Sequence, residues 1–264
     1  MYKTNIQKLK APKIIAIANQ KGGVGKTNVT FNIAGALAEC GQKLLLIDLD
    51  QQGNLSSAFL NKIYDLKFTI TNLFLDDKID ISKVIYETSF ENINIVPSNI
   101  EMSKIDLQLA GEPDAQYLLA DKLEELNYDY DFIIIDCPPN LGLATRIGLV
   151  AANKVIIPLE CQEWAIKGTA YLRGAVTKIK KRANPNLEIM GYLINKYVSR
   201  RKLEEVYHEN ILGNFKDKVF KIELKNSVKY AEAVTFRKPI TSYLPSSEQA
   251  ECYRKLAQEI INHG

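Results

Sequence analysis

A short segment between an apolar run and a helical pattern carries glycines, a lysine and a threonine at spacings that suit phosphate binding. Residues 21–27 read KGGVGKT and follow the isoleucine-rich run at 14–18. Glycines let successive backbone N–H groups turn toward one anion, and a following helix adds the positive end of its dipole. Lys26 can reach the β- and γ-phosphates of a nucleotide, and the Thr27 hydroxyl can ligate Mg²⁺. The segment predicts a phosphate loop with these nucleotide-binding residues: Lys21, Gly22, Gly23, Val24, Gly25, Lys26, Thr27 and Asn28.

Two further apolar runs end in aspartate. The run at 43–48 ends in Asp48, with Asp50 two residues later, and the run at 132–136 ends in Asp136. Ligand sites of α/β proteins form outside the carboxyl ends of parallel strands. An aspartate there, paired with a phosphate loop, can hold Mg²⁺ through water. We therefore expect the loop and these carboxylates to meet at one edge of a sheet.

The elements that must position these groups alternate between strand and helix patterns. This alternation predicts a doubly wound, mostly parallel α/β sheet flanked by helices, in a single domain at 13–264 after a short leader at 1–12. A last helix is predicted at 246–261, with Ser246 and Gln249 as a capping box. Beyond the runs already named, strands are predicted at 93–97, 154–159, 188–195 and 218–222, and a helix at 28–40.

Composition excludes several classes of protein. The net charge of the 264-residue chain is +3, which is too small to name a partner. Four scattered cysteines and two histidines give a structural zinc site little to build on. The first twelve residues lack the apolar core of a signal peptide, and no apolar run is long enough to span a bilayer. We therefore expect a protein of the cytoplasm.

The motifs resemble the deviant Walker motifs of the ParA/MinD family of ATPases, in the SIMIBI class. The usual pattern G-x-x-x-x-G-K-[ST] lacks its first glycine here, and Lys21 stands directly before the glycines. Asp48 begins the sequence DLDQQGN, and Asp136 begins DCPP. Residues 231–233 (AEA) and 238–240 (KPI) resemble a signature of the ParA/Soj-like partitioning branch. The resemblance extends from residue 13 to the last helix.

The resemblance implies an ATPase that uses ATP and Mg²⁺ and forms a homodimer in its ATP state. Lys21 would reach the phosphates of the opposite subunit, so that Lys21, Lys26 and Asp50 form the catalytic set, with Asp50 orienting the attacking water. Thr27 would ligate Mg²⁺ directly, with Asp48 and Asp136 around it. Asn195 matches a position near the adenine. Two departures from the family pattern are Gln51 and Lys225, each at a place where relatives carry proline.

Basic residues in the C-terminal half suggest the output of the ATPase. Their spread suits contacts to DNA phosphates without base reading, and hence salt-sensitive binding to double-stranded DNA of any sequence. The resemblance adds a ParB-like centromere- or cargo-binding protein that stimulates hydrolysis, no membrane partner, and a nucleoid-associated location. The predicted DNA-binding residues are Arg200, Arg201, Lys202, Lys225, Lys229 and Arg237.

Four alternatives stay open at this point, one of which is a switch protein that binds ATP but barely hydrolyses it. A MinD-like membrane ATPase needs a C-terminal amphipathic helix with bulky apolar residues, whereas the last helix has a modest apolar face and several glutamates. A ParA-like ATPase could position a protein cargo on the nucleoid. An iron–sulfur carrier such as nitrogenase reductase needs two cysteines placed for a cluster, and Cys137 lies directly after Asp136 with no Cys-Gly-Gly loop nearby.

Overall fold

The computed structural model describes residues 11–126, 129–198 and 201–263. Within these residues the chain forms one seven-stranded sheet in the order β3-β4-β2-β5-β1-β6-β7. Every neighbouring pair is parallel except β3 with β4. The strands are β1 (Lys13–Ile17), β2 (Leu44–Asp48), β3 (Tyr86–Glu87), β4 (Ile93–Val96), β5 (Phe132–Asp136), β6 (Lys154–Leu159) and β7 (Glu188–Ile194).

Helices cover both faces of the sheet. They are α1 (Lys26–Glu39), α2 (Asn54–Phe59), α3 (Ile70–Leu75), α4 (Ile105–Gln108), α5 (Leu118–Glu124), α6 (Leu143–Ala151), α7 (Ala165–Arg182), α8 (Lys202–Phe215), α9 (Val228–Thr235), α10 (Ile240–Tyr243) and α11 (Glu248–Asn262). Because both faces are covered, the central strands β1, β2 and β5 are apolar at every position between their terminal residues instead of alternating. Successive residues of one strand enter different cores: Leu45 packs in the core on one face, and Leu46 in the core on the other. The predicted doubly wound α/β fold is confirmed.

The helix predicted at 28–40 agrees closely with α1. The helix starts directly after the glycine loop and ends before Gly41, which has φ +77°. That left-handed conformation is the usual stop of a helix, and Gly41 N–H donates to the carbonyl of Ala38. α11 packs on α1 with its apolar face buried, including Tyr253, Leu256 and Ile260. The membrane alternative would need that face, and it is taken up by the core.

Two sequence predictions are wrong and one falls partly outside the described residues. The strand predicted at 218–222 is not formed: Val219 makes a single isolated bridge to Tyr192. The cap of α11 is Ser247 instead of Ser246, since the Ser247 hydroxyl accepts from the N–H of Ala250. Of the proposed leader at 1–12, only residues 11 and 12 are described, so this division of the chain stays a prediction.

Candidate phosphate and magnesium site

The candidate site lies at the carboxyl end of the central strands, where the chain leaves β1 for α1. β5 lies between β1 and β2, and Asp48 and Asp136 are register neighbours at the ends of β2 and β5. The loop at 18–25 follows β1, which pairs with β5 on one side and with β6 on the other. The parallel order thus brings the glycine loop and both aspartates to one edge of the sheet, as predicted for an α/β ligand site.

The loop requires glycine at two positions. Gly23 and Gly25 have φ +77° and +88°, a region that side chains other than hydrogen disfavour. A Cβ on Gly25 would also lie 2.5 Å from Nδ2 of Asn195. That amide donates to the carbonyl of Val24 over 2.8 Å, so Asn195 supports the phosphate loop from the end of β7. A contact between Asn195 and adenine stays a prediction.

Lys26 places a buried ammonium inside the site. The residue is only 6% exposed, and its Nζ donates to the carbonyl oxygen of Lys21 over 3.4 Å. Burial lowers the pKa of Lys26, while the charges of Asp136 and Asp50 act in the opposite direction. A buried ammonium is stabilised by an anion that also accepts its hydrogen bonds. Lys26 is therefore suited to a phosphate group bound by the loop.

Asp136 and Thr27 form the centre of the candidate metal site. The Thr27 hydroxyl donates to Oδ2 of Asp136 over 2.7 Å, and the Thr30 hydroxyl donates to Oδ1 over 3.2 Å. Asp136 is fully buried, and this burial together with the neighbouring Asp48 raises its pKa. A divalent cation would offset both effects, because it favours the ionised carboxylate.

The donor set fits Mg²⁺ bound together with a nucleotide. Mg²⁺ takes oxygen ligands and is commonly held by one or two protein groups with phosphate oxygens and water. A hydroxyl and a carboxylate from Thr27 and Asp136 meet that requirement. In the described parts of the chain, no group of three or more His, Cys, Asp or Glu side chains could hold a metal ion. The ion would therefore depend on the phosphates for its remaining ligands.

Asp48 is beside Asp136 but its oxygens are already engaged by the protein. Oδ1 accepts from the N–H of Asp50 over 3.0 Å. Oδ2 accepts from the N–H of Ser56 over 2.9 Å and from its hydroxyl over 2.7 Å. Asp48 thus ties the start of the loop at 49–53 to α2, and burial raises its pKa. Its place around Mg²⁺ stays a prediction, and Ser56 is a partner that the sequence analysis did not identify.

Asp50 lies at the mouth of the site. It is 9% exposed, and its Oδ1 accepts from the N–H of Gln52 over 3.0 Å. It lines a cavity of about 160 Å³ with residues of the segment that follows β5, including Asn140. A carboxylate with a free oxygen beside such a cavity can accept a hydrogen bond from water. The position suits the predicted role of Asp50 in orienting a water molecule.

Lys21 and Asn28 lie on opposite sides of the loop. The Lys21 side chain is 47% exposed and its ammonium lies 3.3 Å from Glu160, which follows β6. Asn28 lies at the start of α1, where its Nδ2 donates to the carbonyl of Tyr230 over 3.2 Å. Asn28 also lines an open cleft of about 510 Å³ that borders Thr27 and Arg237. Lys21 is therefore half-exposed and paired with Glu160, whereas Asn28 is tied to α9.

Five of the six predicted DNA-binding residues lie in the described parts of the chain and are exposed, and two of these five form an ion pair with a glutamate. Arg201 lies 3.0 Å from Glu204, and Lys225 lies 2.7 Å from Glu248. Lys225 and Lys229 both act on Glu248 and lower its pKa, so these two lysines share one neighbourhood. Arg237 instead contacts Asn61 and borders the cleft beside α1. Lys202 begins α8 and is exposed, and Arg200 lies outside the described residues.

Comparisons with known proteins agree on one family. Residues 12–189 match a family model described as an AAA domain. The chain is 37% identical over 252 residues to the sporulation initiation inhibitor protein Soj of Bacillus subtilis, covering 96% of this chain and 99% of that protein. It is 38% identical over 253 residues to the chromosome-partitioning ATPase Soj of Treponema pallidum, covering 94% of this chain and 97% of that protein.

A solved structure gives the same answer for the fold. The chain superposes with a TM-score of 0.83 and 29% identity on cobyrinic acid a,c-diamide synthase from Mycobacterium smegmatis with bound ADP and magnesium. The match covers 96% of this chain and 95% of that one. That protein carries its nucleotide and its metal on a fold shared over nearly its whole length with this chain.

Proposed function

The chain belongs to the ParA/Soj family of ATPases, and on that premise we propose that it is a partitioning ATPase that uses ATP and Mg²⁺. In its ATP state it forms a homodimer that binds double-stranded DNA without sequence preference. A ParB-like centromere- or cargo-binding protein stimulates its hydrolysis of ATP to ADP and phosphate. The protein acts in the cytoplasm, on the nucleoid, from a single ATPase domain at 13–264. The observation that carries the proposal is the cluster of Lys26, Thr27, Asp136 and Asp50 at the start of α1.

Each group of the cluster has one task in this proposal. The loop N–H groups and the Lys26 ammonium bind the phosphates, and Lys26 offsets the charge that develops as the γ-phosphoryl group leaves. Thr27 and Asp136 hold Mg²⁺, which neutralises phosphate charge when it is bound. Asp50 orients the attacking water from the mouth of the site. The Lys21 side chain is half-exposed beside Glu160, which suits a contact to the phosphates of a second subunit once that ion pair is broken.

Exposed basic residues support the DNA-binding part of the proposal. Arg201, Lys202, Lys225 and Lys229 lie on α8, on α9 and in the segments that precede these two helices. Contacts to backbone phosphates need charge and exposure without a rigid pattern of hydrogen bonds, and these residues have both. The partners Glu204 and Glu248 would be displaced by phosphate, so the binding should weaken steeply as salt rises.

A gel-shift titration tests the proposal directly. Unrelated duplex DNA is titrated with protein in ATP and in ADP over a series of salt concentrations. We expect a shift that needs ATP, does not depend on sequence, and is lost as salt increases. Asp50→Ala should retain ATP and remain on DNA, because the dimer forms but cannot hydrolyse its nucleotide. Binding to liposomes with no ATP-dependent DNA shift at low salt would contradict the proposal and favour the membrane ATPase.

A further inference from the structure

One carboxylate beside the phosphate loop holds two lysine ammoniums at once. Oε2 of Glu160 lies 3.3 Å from Nζ of Lys21, and Oε1 lies 3.1 Å from Nζ of Lys196. Gln162 completes the cluster: its Nε2 donates to Glu160 over 2.7 Å, and its Oε1 accepts from Lys21. Lys196 also donates to the carbonyl of Gly23 in the phosphate loop. Lys21 is therefore held within its own chain.

The backbone fixes the three charged residues on neighbouring strand ends. Glu160 comes directly after β6 and Lys196 two residues after the end of β7, and the last residues of these strands, Leu159 and Ile194, are in register. Asn19 links this edge to the loop, since its Nδ2 donates to the carbonyl of Pro158 over 2.7 Å and its Oδ1 accepts from Lys21 N–H over 3.0 Å. The contact between Glu160 and Lys21 thus follows from strand order and does not need a flexible encounter.

Glu160 is more sheltered from water than the glutamate of a surface ion pair. Its side chain is 13% exposed, whereas Lys21 and Lys196 are 47% and 44% exposed. The same arrangement, one glutamate with two lysines, occurs at the other end of the sheet, where Glu188 lies 3.1 Å from both Lys154 and Lys180. Glu188 is 51% exposed, so solvent screens that cluster much more. Glu188 is therefore a matched control for Glu160.

We propose that Glu160 is a positioning residue for Lys21, which it holds on its own subunit until a nucleotide on a second subunit competes for the ammonium. This inference rests on the proposed function, in which Lys21 contacts the phosphates of the opposite subunit. Lys21 cannot lie 3.3 Å from Glu160 and at the same time reach across to another molecule. Formation of the ATP dimer must therefore break two such contacts, one in each subunit.

Lys196 adjusts the strength of this contact. Both ammoniums share the charge of one carboxylate. Removing Lys196 should therefore strengthen the ion pair between Glu160 and Lys21. Glu160 neutralised as glutamine keeps its size and loses its charge. The two substitutions should therefore change the availability of Lys21 in opposite directions, which a general loosening of the loop would not do.

The test measures Lys21 directly and the dimer separately. Lys21 is labelled with an amine-reactive reagent in the nucleotide-free protein, and its rate of labelling is followed by mass spectrometry in wild type, Glu160→Gln, Lys196→Met and Glu188→Gln. A partly exposed ion pair contributes about 0.2–1 kcal/mol, so Glu160→Gln should label about 1.4- to 5-fold faster. Lys196→Met should label more slowly than wild type, and Glu188→Gln should leave Lys21 unchanged.

Dimerisation is then measured by analytical ultracentrifugation in ATP, with Asp50→Ala as the background so that the nucleotide persists. Because two contacts break, the dimer dissociation constant should fall about 2- to 30-fold in Glu160→Gln. The Glu188→Gln control should not change it. ADP binding to the monomer and thermal unfolding show whether Glu160→Gln keeps its site and its fold.

The measurements distinguish a failure of the Glu160 inference from a failure of the proposed function. If wild type dimerises in ATP while Glu160→Gln shows the same labelling rate and the same dissociation constant, the role of Glu160 is wrong and the proposed function stands. A weaker dimer in Glu160→Gln would also overturn the inference, since it would make Glu160 a support of the dimer. If wild type stays monomeric in ATP at every concentration, the proposed function fails, and the role of Glu160 in dimerisation fails with it.

Discussion

The two ends of the sheet carry charged residues in very different surroundings. At the amino end, Glu188 joins Lys154 and Lys180, and Lys43 pairs with Asp129 at 3.2 Å, all in contact with water. At the carboxyl end, Asp48 and Asp136 are fully buried, and Lys26 is nearly so. Both ends contain a similar mixture of acids and lysines. Burial, and not the number of charged groups, therefore distinguishes the end of the sheet at which we propose that the nucleotide binds.

The same difference appears in the direction of the pKa changes. Hydrogen bonds from Lys154 and Lys180 lower the pKa of Glu188, as is usual for an exposed acid with cationic neighbours. Burial raises the pKa of both Asp48 and Asp136. At the amino end, the charge of Glu188 is therefore compensated by the neighbouring lysines of the same chain. The carboxyl end holds carboxylates that favour a proton or a cation, beside an ammonium that favours an anion.

The largest expected effect is the loss of ATP affinity when Lys26, the buried lysine at the carboxyl end, is replaced. Lys26→Met should weaken ATP binding by about 2–5 kcal/mol, since it removes one partner of a buried charge contact. The free energy of unfolding without nucleotide should change little, because the substitution also removes a desolvated charge. Isothermal titration calorimetry and urea unfolding measure the two quantities. Lys154→Met at the amino end is the control and should leave ATP affinity unchanged. An equal loss of ATP affinity in Lys154→Met would show that the two ends do not differ in nucleotide binding.

The second prediction concerns the metal. Asp136→Asn should lower the affinity for Mg²⁺ in the presence of ATP by about 10- to 100-fold, since the amide keeps the contact to Thr27 but loses the charge that attracts the ion. Titration of ATPase activity with Mg²⁺ gives the affinity. Glu188→Gln removes a carboxylate at the amino end that is paired with lysines, and it should leave the Mg²⁺ dependence as in wild type. Unchanged Mg²⁺ dependence in Asp136→Asn would remove Asp136 from the metal site.

The third prediction compares the glycines at the two ends of α1. An alanine at either Gly25 or Gly41 must adopt a positive φ, which costs about 1–2 kcal/mol of stability. Only at Gly25 does the new Cβ also meet another group, Nδ2 of Asn195 at 2.5 Å. Gly25→Ala should therefore lose nucleotide binding as well as stability, whereas Gly41→Ala should lose stability alone. Binding of a fluorescent ADP analogue and thermal unfolding of both variants check the distinction.

The last difference between the two ends of the sheet concerns the pH dependence of stability. The raised pKa values of Asp48 and Asp136 contribute stability that is fully present below an aspartate's ordinary pKa of about 4 and is lost as pH rises toward the raised values. The lowered pKa of Glu188 works the other way: its contribution is present above about pH 4 and is lost as pH falls through the lowered value.

Urea unfolding between pH 4 and pH 8 separates these two contributions. Asp136→Asn should gain stability relative to wild type as pH rises, with a slope of at most about 1.4 kcal/mol per pH unit for one proton. Glu188→Gln should lose about 0.2–1 kcal/mol relative to wild type above pH 4, because its ion pairs are exposed. Parallel pH profiles for both variants would mean that the two ends do not differ in the way described.

Much of the site was predictable because its signals are local. The glycine loop, the run that ends in Asp48 and the run that ends in Asp136 each combine a buried strand with the residue that follows it, and the parallel fold brings them to one edge. The contact of Glu160 with Lys21 and Lys196 has no such local signal. It depends on β6 lying between β1 and β7, which strand patterns alone do not order.

The strand predicted at 218–222 shows where a strand prediction from sequence alone can fail. Val219, Phe220 and Leu224 do follow the edge of β7, and the N–H groups of Phe220 and Leu224 donate to Tyr192 and Ile194. However, the ring of Phe220 covers Gly191, where a Cβ would lie 2.6 Å from it. The apolar residues of this segment therefore cover the edge of the sheet beside β7 instead of adding a strand to it. Tertiary packing, and not local strand propensity, determines this outcome.

The contact of Asn195 with the phosphate loop has a consequence for how this chain can vary. The Asn195 amide donates to Val24, from which it is separated by 171 positions along the chain, and it fills the space that a side chain at Gly25 would need. Neither position can change freely while the other is kept. Among natural sequences with this fold, a residue other than glycine at position 25 should therefore be rare, and it should occur only together with a smaller residue at position 195. The conformation of the phosphate loop thus depends on residues from both the N-terminal and the C-terminal half of the chain.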